Sequence, residues 1–227
     1  MRADDPNLTY LRRIAEALGE LRKQVVFVGG AVAGLLVTDP LADAVRATRD
    51  VDAVVNADRA LFHRIEEALA KRGFARDISS DVICRWVHKD SGVLFDLMPV
   101  QPEVLGFSNR WYPYAVESAV FVDLGAGLTI RLVSAAAFVA TKLEAFAGRG
   151  NGDFMSSHDL EDVLNIVDGR EELADEMGAA PTQLRQAVAA AIAQLLKNPD
   201  FVNVLPGLIA EPERATLVLD RLKAMSQ

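Results

Sequence analysis

Apolar and polar positions alternate along this chain with two periods, and the change between them divides it. Leu8, Leu11, Ile14, Ala15, Leu18 and Leu21 recur at three- and four-residue intervals, which predicts an amphipathic helix. The continuous apolar run "VVFV" (25–28) then reads as a buried strand. It ends in Gly29-Gly30 and passes into an apolar helix predicted to reach about Val37, where Asp39-Pro40 stops it. "DVDAVV" (50–55) is the next strand, with Val51, Ala53 and Val55 on one face and Asp50 and Asp52 on the other. Asp58 caps the helix "RALFHRIEEALAKRG", which stops at Gly73. "VICRWVH" and "GVLFDLMPV" are strand-like runs joined by the turn chemistry of "KDSG". "AVFVDL" and "LTIRLV", joined by "GAG", predict a second strand pair.

After Val133 the period becomes helical throughout. Ser134 is placed to cap "AAAFVATKLEAFAGR", which Gly148 to Gly152 end. "SSHDLEDVLNIVD" follows with Ser156 and Asp159 in capping-box spacing, and "TQLRQAVAAAIAQLLK" and "EPERATLVLDRLKAM" complete the tail. The expected fold class is α+β: a mixed sheet flanked by helices over residues 1–132, then a helical part over 133–227 packed against it.

Composition narrows the function classes. Among 227 residues 51% are hydrophobic and 25% charged, ordinary values for a globular protein. The formal net charge of −8 argues against a broad non-specific nucleic-acid footprint, which calls for a basic surface. The one cysteine, Cys84, has no partner for a disulfide or a zinc cluster, and His63, His88 and His158 lie far apart. The first ten residues lack the apolar core of a signal peptide, and the longest apolar run, Val25 to Thr38, is too short to span a bilayer. The expected location is cytoplasmic, with no membrane partner.

The candidate chemistry lies in three acids. Asp50 and Asp52 share one face of an apolar strand, and two adjacent carboxylates repel unless a cation lies between them. Asp96 is the lone charge in "GVLFDLMPV", and burying an acid without a partner is costly. If the two strands are neighbours, the three carboxylates converge into an oxygen-rich site suited to Mg²⁺, with one or two ions activating an attacking oxygen and stabilising the leaving one. Gly29-Gly30, a glycine turn into a helix start, offers backbone N–H groups to a nucleotide's phosphates. The combination suits attack of an acceptor hydroxyl on an α-phosphate with loss of pyrophosphate.

Gly29-Gly30, then Asp50-Val51-Asp52, then Asp96 resembles the pattern of the DNA polymerase β-like nucleotidyltransferase superfamily. The longer stretch with Arg46, Thr48, Asp50 and Asp52 is similar to its AbiEii-type branch, the toxins of type IV toxin–antitoxin systems. Lys142, Arg149 and "HDLED" (158–162) resemble that branch's downstream block, and the likeness covers roughly residues 25–168. It implies a nucleotidyltransferase fold, a nucleoside triphosphate donor, Mg²⁺, a cognate antitoxin and, in some members, the 3′ end of tRNA as acceptor. It also implies binding roles for Gly29, Gly30, Arg46 and Thr48. Lys142 is implied to contact the triphosphate, with Asp159 or Asp162 beside it. Ala31 stands where many relatives carry a phosphate-binding hydroxyl. Two other readings fit the same residues: a small-molecule, antibiotic-type nucleotidyltransferase, and a catalytically silent module of the same fold that binds a nucleotide or a partner. Trp111, Tyr112 and Tyr114 read either as a base-stacking group or, more commonly for such a cluster, as a packed lid.

Overall fold

The computed structural model describes residues 5–150 and 152–227. Two compact units emerge. An α+β unit comprises Asp5–Val32 and Arg46–Ser134, and a helical unit comprises Ala33–Val45 and Ala135–Gln227.

The α+β unit is built on a seven-stranded mixed sheet. Its strands are β1 (Val26–Val28), β2 (Asp50–Val55), β3 (Phe74–Arg76), β4 (Arg85–His88), β5 (Leu94–Pro99), β6 (Val120–Asp123) and β7 (Thr129–Leu132), in the order β3-β4-β5-β2-β1-β7-β6. β2 runs parallel to β5, β1 runs parallel to β7, and the remaining pairs are antiparallel. Both predicted hairpins form, β4–β5 across "KDSG" and β6–β7 across "GAG". The central strands carry the apolar runs read from the sequence: Phe27, Val51, Ala53, Val54, Phe95 and Leu97 are all fully buried, as strands covered on both faces require.

Helix α1 (Leu8–Leu18) buries Leu8, Leu11, Ile14, Ala15 and Leu18 as one stripe. Each fully buried Leu or Ile contributes about 2 kcal/mol of apolar transfer energy, so this stripe fixes the helix on the sheet. Asn7, immediately before it, is fully buried and caps nothing in its own helix. Its side-chain NH₂ donates to the Arg46 carbonyl (3.0 Å), and its side-chain oxygen accepts from the Thr48 N–H (2.8 Å). The Thr48 hydroxyl in turn donates to the Asp50 carbonyl at 3.0 Å. The approach to the acid-bearing strand is therefore held by the N-terminal helix.

α3 (Arg59–Lys71) starts where predicted, with the Asp58 carboxylate accepting from the Leu61 N–H at 2.7 Å. Two short helices, α4 (Pro102–Leu105) and α5 (Tyr112–Glu117), follow β5. The aromatic group folds into α5: Trp111 is buried under the Arg110 guanidinium, and the Tyr112 hydroxyl donates to Met98 Sδ. These contacts match the packed-lid reading.

The helical unit holds α2 (Ala33–Leu36), α6 (Ala135–Arg149), α7 (His158–Gly169), α8 (Leu173–Ala179), α9 (Thr182–Lys197), α10 (Pro199–Leu208) and α11 (Ala215–Met225). α6 packs along α7, and α11 packs on both α7 and α9. α7 is capped by Ser157 rather than Ser156, with the Ser157 hydroxyl accepting from the Leu160 N–H. The segment 33–45 is docked on the end of α7. Thr38 and Asp39 N–H groups both donate to the Gly169 carbonyl (2.8 and 2.9 Å). A Cβ at Gly169 would stand 2.8 Å from Val37, so only glycine admits this approach. Arg214 bridges Asp39 and Asp168, and Arg170 donates to the Leu36 carbonyl. Among the described residues no helix is long and apolar enough to cross a membrane.

Candidate functional site

The three acids of the sequence reading come together in the α+β unit. The parallel register places Asp52 directly beside Asp96, with Asp50 two residues earlier on the same face of β2. β1 continues the row, since Val28 pairs with Asp52. Next to Val28, Gly29 takes a left-handed φ of +74°, and a Cβ there would stand 2.0 Å from Asp52 Oδ2. The glycine thus does two things: it makes the turn out of β1 and leaves room for the Asp52 carboxylate. Gly29→Ala combines left-handed strain of about 1 kcal/mol with displacement of Asp52, and an expected total loss of about 3 kcal/mol is checked by urea titration.

Gly30 opens a 3₁₀ turn, Gly30–Val32, which runs into the single α-helical turn of α2. The predicted longer helix is absent because the backbone leaves helical form before Thr38 and Asp39, whose N–H groups bind Gly169. Backbone N–H groups at Gly29 and Gly30 are therefore offered by a tight turn, with a shorter helix behind them than the sequence suggested. Thr48 and Arg46 lie on the approach to β2, and the Thr48 hydroxyl is engaged with the Asp50 carbonyl.

A fourth side chain completes this cluster, and the sequence reading passed over it. Arg85, on β4, pairs in register with Asp96. Its Nε and Nη2 donate to Asp96 Oδ1 and Oδ2 (2.9 and 2.7 Å) as a two-pronged fork, and Nη2 also donates to Asp50 Oδ2 at 2.7 Å. The hydrogen bonds to Asp96 raise the Arg85 pKa further, against the opposing effect of burial and with help from the charges of Asp50 and Asp52. The signal was present in the sequence: an arginine in the apolar run "VICRWVH", opposite the lone acid of the other hairpin strand once "KDSG" is read as the turn. Cys84 beside it is buried. Its thiol is pushed up to about 12, first by burial and then by the charges of Asp96 and Asp52, so it stays protonated and is no thiolate.

The helical unit carries a second charged cluster. Lys142 Nζ lies 2.6 Å from Asp162 Oδ2 and 3.1 Å from Asp159 Oδ1. Arg149 adds a fork on Asp159, with Nε to Oδ2 at 2.8 Å and Nη2 to Oδ1 at 2.9 Å. Lys142 is buried, and its ammonium is shared by two carboxylates, of which Asp162 is 1% exposed. Burial pushes Asp159 up, but hydrogen bonds from Arg149 and the charge of Lys142 outweigh it and leave its pKa below the ordinary 3.8. A carboxylate depressed in the folded state contributes stability above its unfolded pKa, and that contribution is lost as pH falls through the folded value. Asp159→Asn should accordingly flatten the decline in melting temperature expected below pH 4, the window under its ordinary 3.8. Parallel melts of both proteins from pH 6 downward check this.

The structure thus gathers Asp50, Asp52, Asp96, Gly29 and Arg85 in one unit, and Lys142, Asp159, Asp162 and Arg149 in the other. His158 joins neither cluster through its ring, which faces Glu161 at 3.3 Å on an exposed surface.

No family model matches the sequence, and no curated protein does. Solved structures do match. An antigenic nucleotidyltransferase-like protein from Paracoccidioides brasiliensis aligns over 92% of this chain and 94% of its own, with a TM-score of 0.53 and 17% identity. The antibiotic-resistance factor ANT(2'')-Ia aligns over 83% of this chain and 92% of its own, with a TM-score of 0.50 and 18% identity. At such identities the likeness is one of architecture alone. The chain has a nucleotidyltransferase-like α+β fold.

Proposed function

We propose that this protein transfers a nucleoside monophosphate from a nucleoside triphosphate to an acceptor hydroxyl. The observation that carries the reading is the in-register pair Asp52–Asp96, with Asp50 on the same face and a left-handed glycine against Asp52. In the reaction, an acceptor hydroxyl gives up its proton to a carboxylate of the cluster as its oxygen bonds to the α-phosphorus, the bond from that phosphorus to the bridging oxygen breaks, and pyrophosphate leaves with the electron pair.

The carboxylate set can be tested for fit to Mg²⁺. The donors are hard oxygens, they share one face, and the cluster already draws a cation, the Arg85 guanidinium. Among the described residues no group of three or more such side chains is spaced to hold an ion as it stands. The donor chemistry fits, and the residues that would hold the metal are Asp50, Asp52 and Asp96. When bound, the metal supplies a Lewis acid that stabilises charge on the phosphoryl oxygens. The protein's own contributions are distinct. Asp96 aims the acceptor side of the cluster, Gly29 and Gly30 bring backbone N–H groups toward the phosphates, and Gly29 keeps Asp52 close to the turn. Lys142, held by Asp159 and Asp162, is assigned to the charge on the leaving pyrophosphate on the strength of the sequence resemblance.

The net charge of −8 favours a cationic, hydroxylated small molecule as acceptor over a polyanion. The fold neighbour described as an antibiotic-resistance factor points the same way. The Lys142 to Asp162 block favours the second reading, a toxin that modifies tRNA and is neutralised by a cognate antitoxin. One experiment separates them: incubation with each labelled triphosphate and Mg²⁺, once with total RNA and once with aminoglycoside-like polyols. Label in the small molecule supports the first acceptor and label in an RNA band the second. Nucleotide binding unaffected by Mg²⁺, with no label in either, overturns transfer and leaves the silent module.

A further inference from the structure

We infer that Arg85 is a positioning residue that occupies the cation place of the carboxylate cluster, and that it must release Asp50, Asp96 or both before a divalent ion can bind there. The inference rests on the nucleotidyl-transfer reading for its purpose, but on Arg85's own contacts for its substance.

One nitrogen, Nη2, touches Asp50 Oδ2 and Asp96 Oδ2 at 2.7 Å each, so the guanidinium stands between the two acids rather than beside one of them. Nε takes up the other Asp96 oxygen at 2.9 Å, so both oxygens of the most buried acid are engaged. A metal ligand cannot hold a guanidinium and a divalent ion on the same oxygen lone pairs, and two cations in one small site repel.

The backbone of Arg85 is fixed in the hairpin: it pairs opposite Asp96, its N–H donates to the Val82 carbonyl at 3.1 Å, and its carbonyl accepts from the Asp77 N–H at 3.1 Å. Only the side chain has freedom, and at 18% exposure it has a route to solvent. Arg85 therefore keeps Asp50 and Asp96 aligned, and its departure is coupled to metal loading. Metal affinity is lowered by the cost of displacing it, which makes the site weak until a triphosphate adds its own oxygens.

The test is Mn²⁺ binding by calorimetry to wild type, Arg85→Gln and Arg85→Lys, without nucleotide. Arg85→Gln is expected to bind Mn²⁺ at least about tenfold more tightly than wild type, and Arg85→Lys, which keeps a charge but loses the fork, to fall between them. In metal-free buffer Arg85→Gln should melt below wild type, and Mn²⁺ should restore most of the difference. If Arg85→Gln does not fold, Arg85→Lys decides alone. Should neither fold, the wild type still reports: Mg²⁺ should move the Arg85 Nε–H NMR signal from a protected to a solvent-exchanging position. Affinity unchanged or weakened in the folded variants, or an Nε–H signal indifferent to Mg²⁺, overturns the inference. The two readings fail separately. Tighter Mn²⁺ binding by Arg85→Gln with no transfer by wild type removes the proposed function and keeps Arg85's role. Transfer by wild type with no gain in Mn²⁺ affinity does the reverse.

Discussion

Asp52→Asn will lower incorporation of labelled nucleotide at least about a thousandfold, equivalent to about 4 kcal/mol of transition-state stabilisation. Asp52 is central in the row that runs from Arg85 through Asp96 to Val28. It also lies against the Cα of Gly29, at the turn that presents the backbone N–H groups. Asparagine keeps the volume of the carboxylate, so the contact with Gly29 survives while the charge is lost. Circular dichroism and the melting temperature should stay close to wild type, which separates a chemical loss from a folding loss. A variant that incorporates nucleotide at a tenth of the wild-type rate or more would remove Asp52 from the chemistry.

The second large effect is on stability. Lys142→Met should cost about 3–5 kcal/mol, because it leaves Asp159 and Asp162 buried with their shared cation gone. For a chain of this size that corresponds to a fall of about 10 °C in melting temperature. Arg149 cannot replace the lysine, since its side chain is 73% exposed and its fork is committed to Asp159. Adding Asp162→Asn to Lys142→Met should recover part of the loss, because the fully buried negative charge is then removed together with its partner. If the single variant melts within about 2 °C of wild type, the ion cluster does not hold α6 to α7.

Much of this architecture was legible in the residues. The period-two run "DVDAVV" placed both acids on one face, and the lone acid of "LFDLM" pointed to a converging third carboxylate. Both hairpins followed from turn chemistry, and the long helices from their apolar spacing. Arg85 escaped because its meaning depends on register: only with "KDSG" closed does it fall opposite Asp96. Apolar spacing alone does not record the pairing of Lys142, because its partners lie seventeen and twenty residues on, across a helix–helix contact. The grouping of 33–45 with the helical unit was hidden for a similar reason. It depends on Gly169, Asp168 and Arg214, more than a hundred residues downstream, and no local pattern records such an approach. The short helices α4, α5 and α8 have too few turns to show a period, and α10 carries Pro206 in its interior, where a proline reads as a break.

The buried amide of Asn7 has a consequence for how variants of this protein should be sorted. Through Arg46 and Thr48 it sets the angle at which the acidic strand begins, although it bears no reactive group and stands more than forty positions from the nearest carboxylate of the cluster. Damage to the amino-terminal end, by trimming, fusion or substitution, would therefore reach the chemistry mechanically. In a screen that scores activity alone, it would be mistaken for an injury to the acids themselves.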